Sequence, residues 1–289
     1  MPTNAPETMG VIYRLQLSQL HPHPQNPFSI RDDQAMLDLI QSVQSHGVLV
    51  PAIARLRPDG EYEIIAGHRR KPARELAGLD FMPVVVLDLN DDEAIIQLVD
   101  SNIQRENILP SERAKAYKMR MEAIKRQGAR TDLTSPNISA RFRSDDELGQ
   151  EVGVSGDTIR NSASLTNLGP ELMQMVDEGR IKLSPAYQIA ALPHNEQSLL
   201  LDTIESEQAT PSLSQAQRMK RLSQNGELNE DVLLEIMMEQ KKPVRNDITL
   251  SGEKLRKYFT KSYSPIQMEN VIFKLLEAWH RKRQRDQSR

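Results

Sequence analysis

At 289 residues the chain exceeds what one core usually holds and suits about two domains of roughly 100–200 residues each. Hydrophobic residues make up 38%, charged residues 27% and aromatics only 4%, the profile of a soluble, helix-rich chain with thin cores. The richest apolar run, 84–87, falls far short of the roughly 18 residues that a membrane-spanning helix needs. With no cysteine, disulfides, thiolate metal sites, Fe–S ligation and thiol nucleophiles are excluded. The first residues show neither a basic stretch nor an apolar one of the secretory kind, so a cytoplasmic location is expected, with no membrane partner.

In chain order, Tyr13, Leu15 and Leu17 alternate with Arg14 and Gln16, the period of a half-buried strand. Three prolines within residues 21–27 then predict an extended loop. Met36, Leu39, Ile40 and Val43 predict a helix that Gly47 closes. Residues 51–56 and 61–66 flank Pro58-Asp59-Gly60 and predict a hairpin. Gly67-His68-Arg69-Arg70 leads into a short helix ended by Gly78, and a buried strand follows at 84–87. This alternation predicts a small mixed α/β domain over 11–107.

Beyond Pro110 the pattern is helical. Ala114, Tyr117, Met121 and Ile124 mark a helix through Gln127, followed by a polar loop at 128–143. Ser144-Asp145-Asp146-Glu147 is a capping box that starts another helix near 145. Helices at 170–178, 184–191 and 194–206 complete an all-α domain over 108–210. Residues 211–230 are expected as a linker, and 231–289 as a helical C-terminal segment. In that segment Ser264-Pro265-Ile266-Gln267 is a second capping box with proline at the first helical position, and Val271, Ile272, Leu275, Leu276 and Trp279 share one helix face ahead of a basic tail. That face suits either a dimer contact or packing within its own domain.

Three segments carry chemistry. In 145–164, Leu148, Val152, Val154 and Ile159 are spaced to hold two helices together, Gly149 permits close approach and Gly153 suits a tight turn. This is a helix-turn-helix pattern, although an ordinary helical hairpin fits the same residues. Its second helix is expected to begin at Ser155 and to present Gly156, Asp157, Thr158, Arg160, Asn161 and Ser164 to a major groove, where Arg suits guanine and Asn adenine. Ser162 stands where such units usually bury an apolar side chain. The segment itself is acidic, so phosphate contacts must come from 113–143, where nine basic residues against two acidic give +7, including Arg141 and Arg143. The second segment, Gly67-His68-Arg69-Arg70, sets two guanidiniums at a strand-to-helix junction, a candidate anion site. The third, running from Asp100 through Ser101-Asn102-Ile103-Gln104-Arg105 to Glu112, reads alone as a linker with capping groups.

In this order the pieces resemble the ParB family of DNA-partition proteins over about residues 11–210. The resemblance implies an α+β chain: a ParB-like N-terminal nucleotide-binding domain, a helix-turn-helix domain and a dimerising C-terminus, of plasmid or mobile-element type. Asn26, after the first strand, then belongs with Gly67, His68, Arg69 and Arg70 and with Ser101, Asn102 and Arg105 in a pocket for CTP and Mg²⁺, Asn102 being the residue by the metal. The partners implied are double-stranded DNA with a palindromic site, a ParA-type ATPase and a second copy of the chain, at the nucleoid. Three positions depart from the family boxes: His68 replaces a glutamate, Pro72 stands where an arginine often follows, and Ser101 replaces the acidic residue beside the metal. Losing carboxylates beside a triphosphate weakens a Mg²⁺ site and counts against hydrolysis more than against binding. Two other readings share these residues: a helix-turn-helix transcriptional regulator without nucleotide switching, and, on the N-terminal fold alone, a free-serine kinase. Sulfiredoxin chemistry, on the same fold, needs a cysteine and is excluded.

Overall fold

The computed structural model describes residues 11–105, 108–131, 145, 148–150, 152–239, 255, 257–259 and 263–287. The N-terminal part is built on five strands: β1 (Ile12–Gln16), β2 (Leu20–Pro22), β3 (Ala52–Leu56), β4 (Tyr62–Ala66) and β5 (Phe81–Val86). Their order is β1-β5-β3-β4-β2. β1 with β5 and β3 with β4 pair antiparallel, whereas β3 with β5 and β2 with β4 pair parallel. The prolines expected only as loop thus begin with a short strand, and Pro22 is tolerated because β2 lies at the sheet edge.

Strand alternation divides the sheet's side chains between two cores. Ala52, Ala54, Ile64, Met82 and Val84 close with Leu17 and Leu20 on one face. Ile65, one residue on from Ile64, joins a different cluster with Leu98, Tyr117, Leu148 and Ile159. α1 (Gln34–His46) is capped by Asp33, whose carboxylate accepts from the Met36 amide at 2.9 Å, and ends at Gly47 with φ +72°. It packs on α2 (Arg70–Leu76) through Met36, Val43 and Ala73.

α3 (Asp91–Asp100) and α4 (Pro110–Thr131) carry the chain into the helical part. The cluster holding Ile65 and Leu98 also holds Ala116, Tyr117, Leu148, Ile159 and Ala163. One core therefore crosses the 107/108 boundary, and α4 belongs to both halves. α4 also runs four residues past the expected Gln127, while 132–144 lie outside the described residues. Its basic run is partly spent internally: Arg120 pairs with Asp100 at 2.6 Å and Arg126 with Asp92 at 2.7 Å, both acids on α3.

Next come α5 (Gly156–Ser164), α6 (Pro170–Asp177), α7 (Leu183–Ile189) and α8 (His194–Glu207). The linker expected at 211–230 is instead mostly helix, α9 (Leu213–Asn225), followed by α10 (Glu230–Met238). Ser212 and Gln215 form its capping box, and Ala216 and Met219 are buried with Leu233 and Ile236. The Gln215 amide donates to the Ile236 carbonyl at 2.6 Å, satisfying a buried polar group across the two helices. A few small apolar residues on one stripe suffice to bury a helix of otherwise polar composition.

The chain divides into two compact units, the second beginning at 240 rather than 231. In the second, Ser264 and Gln267 cap α11 (Pro265–Gln287) as expected. Leu275, Leu276 and Trp279 are exposed along it. Among the described residues no helix is long and apolar enough to cross a membrane.

Candidate nucleotide pocket and DNA-reading helix

The eight residues singled out from three distant segments meet around one cavity of about 390 Å³. Asn26, Gly67, His68, Arg69, Arg70, Ser101, Asn102 and Arg105 all line it. The sheet explains the convergence. β2 and β4 run parallel, so the chain leaving β2 through Asn26 and the chain leaving β4 through Gly67 emerge at the same sheet end, and the end of α3 delivers Ser101 and Asn102. Gly67 has φ +87°, and a Cβ there would lie 2.5 Å from the Arg70 Nη1 and 3.3 Å from the Ala52 Cβ. Glycine is required both for the turn and for the arginine's place.

Arg69, Arg70 and Arg105 give the cavity its charge. Arg69 donates to Asp33 at 2.6 Å, Arg70 to the Pro51 carbonyl at 3.3 Å, and Arg105 to the Asn102 Oδ1 at 3.3 Å. Burial lowers the pKa of Arg70, and burial together with the Arg69 charge lowers that of Arg105; both groups stay cationic. Such desolvated cations are stabilised by an anion. The Asn102 amide is fixed by donation to the Leu98 carbonyl at 2.9 Å and to Ser101 Oγ at 3.0 Å.

His68 is 8% exposed, and its Nε2 has no hydrogen-bond partner. Burial, reinforced by His23 and Arg105, pushes its pKa down to about 4, so the ring is neutral near pH 7. The substitution for glutamate therefore removes a negative charge without adding a positive one. A resident Mg²⁺ does not fit these residues. Ser101 supplies a hydroxyl where a carboxylate would serve, Asn102 Oδ1 already accepts from Arg105, and the described residues contain no group of three His, Cys, Asp or Glu able to hold a metal.

Sequence reasoning missed the apolar wall of Phe28, Ile30, Ala35 and Leu39, and also Ser29. It also missed the counter-charges, Asp33 and Glu112.

The helix-turn-helix forms as its spacing predicts. A Cβ on Gly149 would lie 2.5 Å from the Val154 carbonyl oxygen and 3.1 Å from the Gly156 amide nitrogen, and Gly153 has φ +73°. Ser155 caps α5, its hydroxyl accepting from the Thr158 amide at 3.2 Å. Gly156 is buried against this turn, so it is a packing position and not part of the outward face. Ser155, Asp157, Thr158 and Asn161 are exposed, and Ser164 is half-buried with its hydroxyl on the Asn161 carbonyl. Arg160 pairs with Asp145 at 3.1 Å and with Asp157. Ser162 is buried near the Tyr187 hydroxyl, and Ala163 and Leu165 provide the apolar packing beside it. Arg141 and Arg143 lie outside the described residues.

A mixed-sheet domain with an arginine-lined cavity, sharing a core with a helix-turn-helix, defines a DNA-binding protein with a ligand pocket. The chain belongs to the ParB family: the ParB N-terminal domain matches residues 2–103 and the ParB HTH domain residues 138–212. The chromosome-partitioning protein Spo0J of Thermus thermophilus is 31% identical over 187 residues, 65% of this chain and 62% of that one. The match thus spans less than two thirds of that relative's length. Stage 0 sporulation protein J of Bacillus subtilis is 29% identical over 252 residues, 86% of this chain and 79% of that one. The C-terminally truncated chromosome-partitioning protein ParB from Caulobacter crescentus, solved with CTP-gamma-S, is 28% identical. It covers 63% of this chain and 93% of its own at a TM-score of 0.32, an overlap too loose for comparison residue by residue.

Proposed function

We propose that the chain is a partition protein that binds a palindromic DNA site as a homodimer, with CTP in the N-terminal pocket acting as a clamp-like gate, and that it works with a ParA-type ATPase at the nucleoid. One observation carries the nucleotide reading: all eight residues singled out from the three family boxes line one cavity, and three of them are arginines. About 390 Å³ lies within the roughly 300–1,000 Å³ of small-molecule sites. Arg69, Arg70 and Arg105 suit the phosphates, the bare Gly67 backbone permits close approach, and the Phe28–Ile30–Leu39 wall suits a nucleoside. Family membership, not the geometry, selects cytosine. Mg²⁺ would enter with the triphosphate. On the DNA side, Ser155, Thr158, Arg160, Asn161 and Ser164 are the reading residues of α5, with Arg141 and Arg143 for phosphates.

The lack of pocket carboxylates at 68 and 101 favours a second reading, a helix-turn-helix regulator that does not switch on nucleotide. Calorimetric titration of CTP separates the two. Arg70→Ala should weaken CTP binding by about 1.5–3 kcal/mol, the worth of a charge-assisted hydrogen bond, and spare DNA binding without nucleotide. An Arg70→Ala protein that binds CTP like the wild type would remove the pocket from the account.

A further inference from the structure

The arginines around the cavity are balanced by two carboxylates, and one of them also holds the cavity's lip. Glu112, in the first turn of α4, is 8% exposed. Its Oε1 accepts from the Ser29 amide at 3.0 Å and from the Ser29 hydroxyl, while its Oε2 accepts from the Leu109 amide at 3.1 Å. Arg31 Nη2 stands 3.6 Å from Oε2, too far for a hydrogen bond, and is buried with no hydrogen-bond partner. Burial pushes the Glu112 carboxyl up, but the Ser29 and Leu109 donors and the Arg31 charge outweigh it and hold its pKa below the ordinary value. It is therefore ionised, and its field reaches Arg105 inside the cavity.

Ser29 lines the cavity, as do its neighbours Phe28 and Ile30, so Glu112 fastens the lip of the pocket to α4. α4 in turn reaches the helical part. The Ser111 amide donates to Asp177 on α6 at 2.9 Å, and Ala116 and Tyr117 share one core with Phe28 and with Leu148 and Ile159 of the helix-turn-helix.

We propose that Glu112 is a positioning residue that couples the pocket to the DNA-reading helices: a polyanionic ligand takes over Arg105, Glu112 loses that counter-charge, and the Ser29 lip is released from α4. This rests on the pocket binding a nucleoside triphosphate. Glu112 acts as the resident anion that the ligand displaces, and α4 is the element that both sites bias.

The test measures CTP affinity of the full chain with and without the tightest duplex taken from a random-sequence pool, for wild type and Glu112→Gln. Wild type should show a ratio of at least about 5 between the two affinities, the lower end of ordinary allosteric coupling. Glu112→Gln should bring the ratio to within twofold of one, with CTP affinity in the absence of DNA equal to wild type or higher because a competing carboxylate is gone. Should that variant not fold, Glu112→Asp, too short to reach both Ser29 and Leu109, should likewise shrink the ratio. A wild-type ratio in whichever variant folds overturns the latch, as does joint loss of CTP affinity, DNA affinity and thermal midpoint, which marks a merely structural residue. Wild type that binds no CTP overturns the pocket reading and the latch together, whereas wild type that binds CTP with a ratio near one overturns the latch and leaves the pocket standing.

Discussion

Acidification should destabilise the fold through His68 before it does so through Asp33 or Glu112. The folded ring has a pKa near 4 against 6.5 when unperturbed, because burial, His23 and Arg105 all disfavour its charged form. Between these values the unfolded chain binds the proton and the folded chain does not, so stability rises with pH. The contribution is complete above pH 6.5 and is lost progressively as pH falls towards 4. By pH 5 the loss is about 2 kcal/mol, and its limit below pH 4 is about 3 kcal/mol, at 1.36 kcal/mol per pKa unit. Asp33 and Glu112, whose folded pKa values are lowered, lose their contributions at lower pH, so pH 5 isolates the histidine from them. His23, also held low mainly by burial, is present in both proteins compared. Urea unfolding at pH 7 and pH 5, followed by circular dichroism, should show His68→Gln losing about 2 kcal/mol less than wild type over that interval. Equal losses in the two proteins would refute the burial of a neutral ring beneath the pocket.

Three further outcomes follow from the geometry. Gly67→Ala forces a left-handed backbone on alanine and drives a methyl into the Arg70 guanidinium, so urea unfolding should show a loss of about 1–2 kcal/mol and CTP titration a weaker affinity. Gly149→Ala meets backbone atoms and should cost about 1–3 kcal/mol with loss of duplex binding; a variant as stable as wild type would show that the two helices do not approach this closely. Arg160→Ala should weaken specific duplex binding by about 1–3 kcal/mol in fluorescence anisotropy if the arginine leaves its carboxylates to read a base. An unchanged affinity would make Arg160 the packing partner of Asp145 and leave the reading to Thr158 and Asn161.

Local devices were legible in the sequence because they are local. The Gly47 stop, the Ser155 cap, the Gly153 turn and the Ser264–Gln267 box each depend on residues within a few positions of one another. The pocket was legible for another reason: its three boxes carry a family order, which the β2–β4 pairing turns into proximity. What was not legible depends on contacts distant in sequence. Counting charges along 113–143 could not show that Arg120 and Arg126 answer acids on α3. Composition made 211–230 a linker, whereas Ala216 and Met219 needed only a partner surface to bury a helix. Helical spacing alone puts Gly156 on the groove face, yet the close approach at Gly149 buries it. Glu112 gave no signal beyond its place in a first turn, because its role is set by Ser29 and Arg31, about eighty residues away.

The most direct test of the central claim is the affinity of the full chain for CTP, compared with ATP, GTP and UTP, in the presence and absence of DNA. The account predicts that CTP binds, that it binds more tightly than the other three, and that DNA changes its affinity. If no nucleotide binds under either condition, the arginine-lined cavity is not a nucleotide site, and the protein is a helix-turn-helix regulator.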